Sequence, residues 1–327
     1  MKKRALITGV TGQDGAYLCK LLLEKDYDIY GFVSRRVNQS FDNLDYFGIT
    51  NQVKFTFGDI TDVASINHAL HISRPHEVYN LAAMSFVGLS WQEPIHTAHV
   101  NALGPLHLLE AIKHICPDAK VYQASTSEMF GNSMEEDHTQ NELTAFRPRS
   151  PYGFAKVFAH NAMVNYRESY SMFTCSGILF NHESPIRGKE FVTRKITDGV
   201  ARIDAGLQDH IELGNLDARR DWGFAGDYVE AMWMMMQKDE PDDYVISTGK
   251  TWSIEELLDV AFKSAGILNW QPYVKQNPAF MRPADLYHLK GNPAKAKEKL
   301  GWESKTTFNE LIKLMVESDI ERYVNLT

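Results

Sequence analysis

The sequence predicts an α/β fold in which a doubly wound parallel sheet is joined to a smaller, mostly α-helical C-terminal lobe. Three observations support this. Short apolar segments alternate with amphipathic ones over the first 180 residues, a glycine-rich turn follows the first apolar segment, and the alternation breaks after Phe180. Because strands that alternate with helices pair in parallel and are covered on both faces, the pattern indicates one open sheet.

The elements follow in chain order. Apolar segments bounded by turn residues are predicted strands, at 5–8, 28–33, 53–60, 77–83 and 120–125. Amphipathic segments between them are predicted helices, the first from Gln13 to about residue 25 and another over 101–115. Six or seven strands are expected before residue 180.

After residue 180 the chain is expected to leave the sheet. Segment 181–215 predicts the first part of a second lobe, about 216–248 a return to the sheet, and 249–327 the rest of that lobe. The predicted domains are therefore 1–180 with the later return, and 181–215 with 249–327. Helix starts in the second lobe are marked by the capping-box pairs Ser253/Glu256 and Thr307/Glu310.

Composition narrows the possible partners. The 327 residues are 44% hydrophobic and carry a net charge of -8, with no basic cluster, so no nucleic-acid partner is expected. Cys19, Cys116 and Cys175 are far apart and lack metal-ligand spacing, which is typical of reduced cytoplasmic thiols. No apolar run reaches the length of a membrane span, so we expect a cytoplasmic protein without a metal or membrane partner.

A glycine turn near the N-terminus predicts dinucleotide binding in a Rossmann-type domain. Gly9, Gly12 and Gly15 lie between a predicted strand and a predicted helix, where bare backbone N–H groups can approach a diphosphate. The alternative is a tight strand-to-helix turn that binds nothing. The remaining residues of the turn complete this part of the predicted cofactor site: Thr11, Gln13 and Asp14.

The end of the second strand favours NADP over NAD. Ser34, Arg35 and Arg36 stand where an NAD enzyme has an acidic residue, and guanidinium groups suit a 2′-phosphate. The alternative is two solvated surface charges. Further predicted cofactor contacts end the third and fourth strands: Asp59, Ile60, Leu81, Ala82 and Ala83.

Four residues are candidates for the chemistry. Tyr152 and Lys156 are four apart, so they share a helix face, and a nearby ammonium favours the phenolate. Lys156 is predicted to activate Tyr152 as a base, and both are predicted to contact the cofactor. Thr126 and Glu128 follow a predicted strand at the ligand-binding edge of the sheet; Glu128 can exchange protons at a carbon beside a carbonyl. Without the glycine turn, this tyrosine–lysine spacing is common by chance.

Nine segments in order carry a more specific pattern: GVTGQDG, ASTSEMFG, RSPYGFAK, ILFNHESPIRG, FVTRKI, LGNLDARRDWG, DYVEAMW, RPAD and KAKEKLGW. With them the chain resembles the GDP-mannose 4,6-dehydratase family of extended short-chain dehydrogenase/reductases over nearly its whole length. The resemblance implies that Tyr152 takes the C4 hydroxyl proton while hydride passes to NADP. Glu128 then takes the C5 proton and assists loss of water, and hydride returns to C6, giving GDP-4-keto-6-deoxymannose.

The resemblance also implies a GDP-sugar site and a homo-oligomer, either a dimer or a tetramer. The implied substrate contacts are Ser85, Asn181, Glu183, Arg187, Val192, Lys195, Arg220, Arg282 and Asp285. Met84 and Phe86 stand where the family usually has Gln and His, at positions expected to border the sugar. A GDP-manno-heptose 4,6-dehydratase is therefore the nearest alternative.

Two other functions remain open from the sequence. A nucleotide-sugar C4 reductase or epimerase would use Tyr152 and Lys156 but needs no carboxylate at Glu128. A non-catalytic NADP-binding sensor would need only the glycine turn.

Overall fold

A computed structural model describes residues 2–35, 40–280, 286 and 288–324. Its central sheet has seven parallel strands, which are numbered along the chain: β1 (Arg4–Thr8), β2 (Asp28–Ser34), β3 (Val53–Gly58), β4 (Glu77–Asn80), β5 (Lys120–Thr126), β6 (Thr174–Leu179) and β11 (Asp243–Ile246). Their spatial order is 3-2-1-4-5-6-11. The predicted doubly wound parallel sheet is confirmed.

Shorter strands of the described chain form small two- and three-stranded sheets: β7 (Asn181–Glu183), β8 (Ile211–Leu213), β9 (Arg219–Arg220), β10 (Trp222–Phe224), β12 (Trp252–Ser253), β13 (Val274–Gln276) and β14 (His288–Leu289). β7 pairs with β10, which places the chain leaving β6 beside the chain that later returns to the main sheet. The predicted return is observed as β11 pairing with β6. The domain boundaries themselves stay a prediction.

The α-helices are α1 (Gln13–Glu24), α2 (Asp42–Asp45), α3 (Val63–Ser73), α4 (Val87–Ser90), α5 (Pro94–Ala98), α6 (Gly104–Ile115), α7 (Pro151–Tyr170), α8 (Val192–Asp204), α9 (Ala225–Met236), α10 (Ile254–Ser264), α11 (Ala294–Leu300) and α12 (Phe308–Val324). A π-helical segment, His99–Leu103, precedes α6, so the helix predicted over 101–115 starts as a wider turn. Among the described residues, no helix is both long and apolar enough to cross a membrane.

Alternating side chains of each central strand pack on opposite faces of the sheet. Ala5 and Ile7 join the cluster that contains α1 and α9, whereas Leu6 joins the cluster that contains α3 and α6. A third cluster, built around α8, α10 and α12, forms the core of the C-terminal lobe. The helical C-terminal lobe therefore has a hydrophobic core of its own.

Both predicted capping boxes are present. The Ser253 hydroxyl accepts from Glu256 N at 3.1 Å while the Glu256 carboxylate accepts from Ser253 N at 2.6 Å. Thr307 and Glu310 make the same reciprocal pair at 3.4 and 2.9 Å. Each pair satisfies backbone N–H groups that a helix start leaves without partners.

Candidate active site

A cleft of about 1230 Å³ lies where the carboxyl ends of the central strands meet the C-terminal lobe. Gly12 of the glycine turn lines one part of the cleft wall. The catalytic candidates Glu128, Tyr152 and Lys156 also line it. The opposite wall includes residues of the C-terminal lobe such as Lys195. The fold therefore brings the glycine turn, the four chemical candidates and the implied nucleotide contacts to one place.

The glycine turn is shaped by close backbone packing. Gly9 has a φ of +68°, and a Cβ there would lie 2.8 Å from Ala82 N. A Cβ on Gly15 would lie 2.5 Å from Gly9 O, and Gly12 N donates to Gly9 O at 3.0 Å. The turn leads directly into the N-terminus of α1 with backbone facing the cleft, an arrangement that fits a dinucleotide diphosphate.

Two neighbouring side chains hold this turn in place. Thr8 Oγ1 accepts from Leu81 N at 3.2 Å and from Ala82 N at 3.1 Å, so the end of β4 is fixed against β1. Asn43 of α2 donates from Nδ2 to Thr11 O at 2.9 Å. The segment that forms α2 has no recognisable motif, so the role of Asn43 could not be read from the sequence.

The other predicted cofactor contacts, at the ends of β2, β3 and β4, lie mostly outside the wall of the main cleft. Ser34, Arg35, Asp59, Ile60 and Ala82 are outside the described cleft wall, whereas Leu81 and Ala83 line it. Arg35 Nε donates to Phe57 O at 3.3 Å. The Asp59 carboxylate accepts from Thr61 N at 2.9 Å and from Thr61 Oγ1 at 2.7 Å. Arg36 lies outside the described residues.

Tyr152 and Lys156 lie on the first turns of α7, which begins with Pro151 after the N-cap Ser150. Ser150 Oγ accepts from Gly153 N at 3.0 Å. Both candidate side chains are buried, with residue exposures of 8% and 3%. The Thr126 hydroxyl hydrogen-bonds Tyr152, and Lys156 Nζ donates to Ala124 O at 2.9 Å.

Burial sets the pKa of both side chains, and the activation of Tyr152 by Lys156 stays a prediction. Burial raises the pKa of Tyr152 to about 12, the Thr126 hydrogen bond opposes this, and the Glu128 charge adds to it. Burial lowers the pKa of Lys156 to about 8. The Lys156 ammonium is 5.8 Å from the centre of the Tyr152 ring and donates to a backbone carbonyl instead. The phenol is therefore protonated at neutral pH.

Glu128 reaches the cleft through a change in backbone direction. β5 ends at Thr126, and the short 3₁₀ segment Ser127–Met129 turns the chain at that edge of the sheet. Glu128 N donates to Thr126 Oγ1 at 3.3 Å, which fixes the start of this segment. Glu128 thus lines the same cleft as Tyr152, as the sequence predicted.

Among the described residues, all those expected to contact the substrate line the cleft: Ser85, Asn181, Glu183, Arg187, Val192, Lys195 and Arg220. Arg187 Nε lies 3.1 Å from Glu183 Oε2 as an ion pair, and Arg220 Nη1 donates to Leu286 O at 2.9 Å. Lys195 Nζ lies 3.5 Å from the centre of the Phe280 ring. Arg282 and Asp285 lie outside the described residues.

Met84 and Phe86, the two residues after β4 that differ from the family's usual Gln and His, lie in different places. Phe86 lines the cleft and packs edge-on against Phe191, with ring centres 5.9 Å apart. Met84 is absent from the described cleft wall; its sulfur accepts from Thr97 Oγ1 at 3.9 Å, and its backbone is held at both N and O by Asn101. Met84 packs against the apolar cluster that contains α3 and α6, and its expected place beside the sugar stays a prediction.

Comparisons with known proteins agree on one family. A family model described as GDP-mannose 4,6 dehydratase matches residues 6–315. The chain is 48% identical over 330 residues to GDP-mannose 4,6 dehydratase 1 of Arabidopsis thaliana, covering 98% of this chain and 90% of that protein. It is 44% identical over 355 residues to GDP-mannose 4,6-dehydratase of Vibrio cholerae serotype O1, covering 98% and 94%.

A solved structure shares the architecture. The UDP-glucose 4-epimerase of Thermus thermophilus, in complex with NAD, superimposes with a TM-score of 0.84 at 26% identity, covering 97% of this chain and 98% of that one.

Proposed function

The chain belongs to the GDP-mannose 4,6-dehydratase family, and from this we infer that it converts GDP-mannose into GDP-4-keto-6-deoxymannose with loss of one water. The observation that carries the inference is the presence of Glu128 in the same cleft as Thr126, Tyr152 and Lys156. A C4 reductase or epimerase needs the tyrosine and lysine but has no elimination step for a carboxylate to perform. A sensor would need none of the four.

We propose the following roles for the four chemical candidates in the reaction. Tyr152 accepts the proton of the C4 hydroxyl and Thr126 orients that hydroxyl, while Lys156 holds a positive charge beside them. A nicotinamide dinucleotide held by the glycine turn would supply the acceptor for the C4 hydride and the donor that returns it to C6. The resulting ketone acidifies C5–H, and Glu128 removes that proton and assists departure of the C6 hydroxyl as water. A proton returned to C5 balances the one taken from the C4 hydroxyl.

Product analysis tests this function. Purified protein is incubated with GDP-mannose, and separately with GDP-manno-heptose, without added reductant, and the product masses are followed. Loss of one water from GDP-mannose is the expected result. Phe86 favours the heptose alternative, because an aromatic wall replaces the family's usual polar group, and dehydration of the heptose alone would support it. If GDP-mannose stays unchanged and the protein oxidises added NADPH in the presence of a 4-keto sugar, the result would instead support a reductase.

NADP is the proposed cofactor. Support comes from Arg35, which directly follows β2 and whose Nε donates only weakly, at 3.3 Å, to Phe57 O. Arg35→Ala is expected to raise the Kd for NADP⁺ about tenfold to a hundredfold, since a hydrogen-bonded charge contributes about 1.5–3 kcal/mol. Its Kd for NAD⁺ should stay the same. Lys54→Ala, which removes a cation from neighbouring β3, is the control; equal losses for both cofactors in the Arg35 variant would refute the assignment.

A homo-oligomer is proposed from an exposed apolar surface on α5, the π-helical segment and α7. Ile95 is 71% exposed, and Phe154, Phe158 and Leu103 are also exposed. α5 packs against α7, so the helices that carry these exposed side chains are neighbours. A Phe154→Lys/Phe158→Lys variant should sediment as a smaller species than the wild type. A wild type that sediments as a monomer would contradict the proposal, and Leu268→Lys, at an isolated exposed residue, is the control.

A further inference from the structure

His182 lies in the cleft with an oxygen acceptor at each ring nitrogen. Nδ1 is 2.8 Å from Phe180 O, and Nε2 is 2.8 Å from Asp14 Oδ2. A backbone carbonyl cannot donate, so Nδ1 must carry a proton. Burial acts to raise the pKa of Asp14, but the charge and hydrogen bond of His182, with smaller effects of Gln13 and Arg187, lower it to about 2. An ionised Asp14 can only accept from Nε2–H, and an imidazole that donates at both nitrogens carries two protons and a positive charge.

The surroundings of this pair hold both groups in one geometry. The His182 ring stacks on the ring of Tyr228, with centres 4.8 Å apart and planes 23° apart. Gln13 Nε2 donates to Asp14 Oδ1 at 2.9 Å and to His182 O at 3.1 Å. Gln13 Oε1 in turn accepts from Ser184 Oγ at 2.8 Å. These contacts join the glycine turn, which carries Gln13 and Asp14, to strand β7, which carries His182.

The charges around Asp14 leave His182 as its main counterion. Asp14 lies in the first turn of α1 and lines the cleft. Arg187 also lowers the pKa of Asp14, by a smaller amount. However, Arg187 is itself paired with Glu183 at 3.1 Å, so its charge is already balanced. Without a charged His182, the turn would present a net negative charge to the cleft.

We propose that His182 is a positively charged positioning residue that neutralises Asp14 in the cofactor turn and holds β7 against that turn. The inference rests on the proposed function, because that function assigns the turn to the diphosphate of an anionic cofactor. A carboxylate in a diphosphate site repels its ligand unless a cation balances it. The charge of His182 thus allows Asp14 to lie in the diphosphate site. The contacts of His182 also fix β7, which carries two of the predicted substrate contacts.

Binding of NADP⁺ to four purified proteins tests the role of the charge. His182→Gln keeps an amide donor toward Asp14 but removes the positive charge, so its Kd for NADP⁺ is expected to rise by roughly tenfold or more. Asp14→Asn/His182→Gln removes both charges and should recover most of the lost affinity. His76→Gln is the matched control, because His76 Nδ1 accepts from Arg4 N at 3.0 Å at the opposite edge of the sheet.

The nitrogen NMR spectrum of ¹⁵N-histidine-labelled protein supplies a second readout. At neutral pH the resonances of His182, assigned by their loss in His182→Gln, should be those of a doubly protonated ring in the wild type and of a neutral ring in Asp14→Asn. A neutral His182 in the wild type would overturn the proposal. So would a double variant that binds NADP⁺ as weakly as His182→Gln, provided thermal unfolding shows both variants folded.

These readouts need no sugar nucleotide. If wild-type protein leaves GDP-mannose unchanged yet His182 is charged and the double variant recovers NADP⁺ affinity, the proposed function fails and the role of His182 stands. If GDP-mannose is dehydrated but the double variant shows no recovery, the role of His182 fails alone.

Discussion

Replacing Tyr152 by phenylalanine is expected to lower kcat for dehydration of GDP-mannose by about 10²- to 10⁴-fold, the usual contribution of a positioned acid or base. The substitution removes one oxygen and its hydrogen bond with Thr126 while keeping the ring in its buried place. The Kd for NADP⁺ should change little, because the glycine turn is untouched. Steady-state kinetics and cofactor titration measure the two quantities.

Tyr166→Phe is the matched control for this variant. Tyr166 is a buried tyrosine of the same helix whose hydroxyl bonds Glu110, away from the cleft. Its loss should leave turnover near the wild-type value. A Tyr152→Phe variant with wild-type kcat would remove the phenol from the mechanism.

The raised pKa of Tyr152 limits the conditions under which this side chain can act as a base. Burial raises the pKa of Tyr152 to about 12, and the Glu128 charge acts in the same direction. A base of that strength cannot be ionised at neutral pH unless a cation approaches it. The oxidised nicotinamide ring carries such a charge, so the phenolate is expected to form only in the complex.

Replacing Glu128 by glutamine is expected to stop the reaction after its first half. C4 oxidation uses Tyr152, so one equivalent of reduced cofactor should accumulate per site on addition of GDP-mannose. Elimination needs a base at C5, and formation of the dehydrated product should fall by about 10²- to 10⁴-fold. Rapid-mixing absorbance of the reduced nicotinamide and mass analysis of the product separate the two steps.

Glu136→Gln is the control for the carboxylate, since Glu136 is exposed outside the described cleft wall. Normal dehydration by Glu128→Gln would exclude the assigned role. Failure of both oxidation and elimination would mean that Glu128 is needed to bind or orient the sugar.

The features that sequence predicted well depend on local spacing. Gly9, Gly12 and Gly15 form a tight turn because no side chain fits there, and the four-residue spacing of Tyr152 and Lys156 places them together on α7. The six strands before residue 180 follow from apolar segments bounded by turns. The spacing of such residues is a property of short stretches of chain, although the tight packing at Gly9 involves the distant residue Ala82.

The features that sequence could not supply depend on tertiary packing. Asn43 reaches Thr11 from the short helix α2, and the backbone N and O of Met84 are both held by Asn101, which is 17 positions away. The pKa of Tyr152 is set by burial, which no spacing reveals. His182 lies between two residues assigned from the sequence, but its partner Asp14 is 168 positions away.

The assignments of Arg36, Arg282 and Asp285 stay predictions, because these residues lie outside the described chain. The roles of the other site residues also stay predictions, although the cleft brings most of them together. Of Met84 and Phe86, Phe86 lines the described cleft wall, so the question of sugar preference concerns this aromatic side chain first.

The most direct test of the dehydratase mechanism follows one hydrogen atom. GDP-mannose labelled with deuterium at C4 is incubated with the purified protein and a trace of NADP⁺, without reductant, and the product is examined by mass spectrometry and NMR. The expected product has lost one water and carries the deuterium at C6, because the hydride taken from C4 is returned within the same site. A product that retains its water, or a dehydrated product without deuterium at C6, would contradict internal hydride transfer.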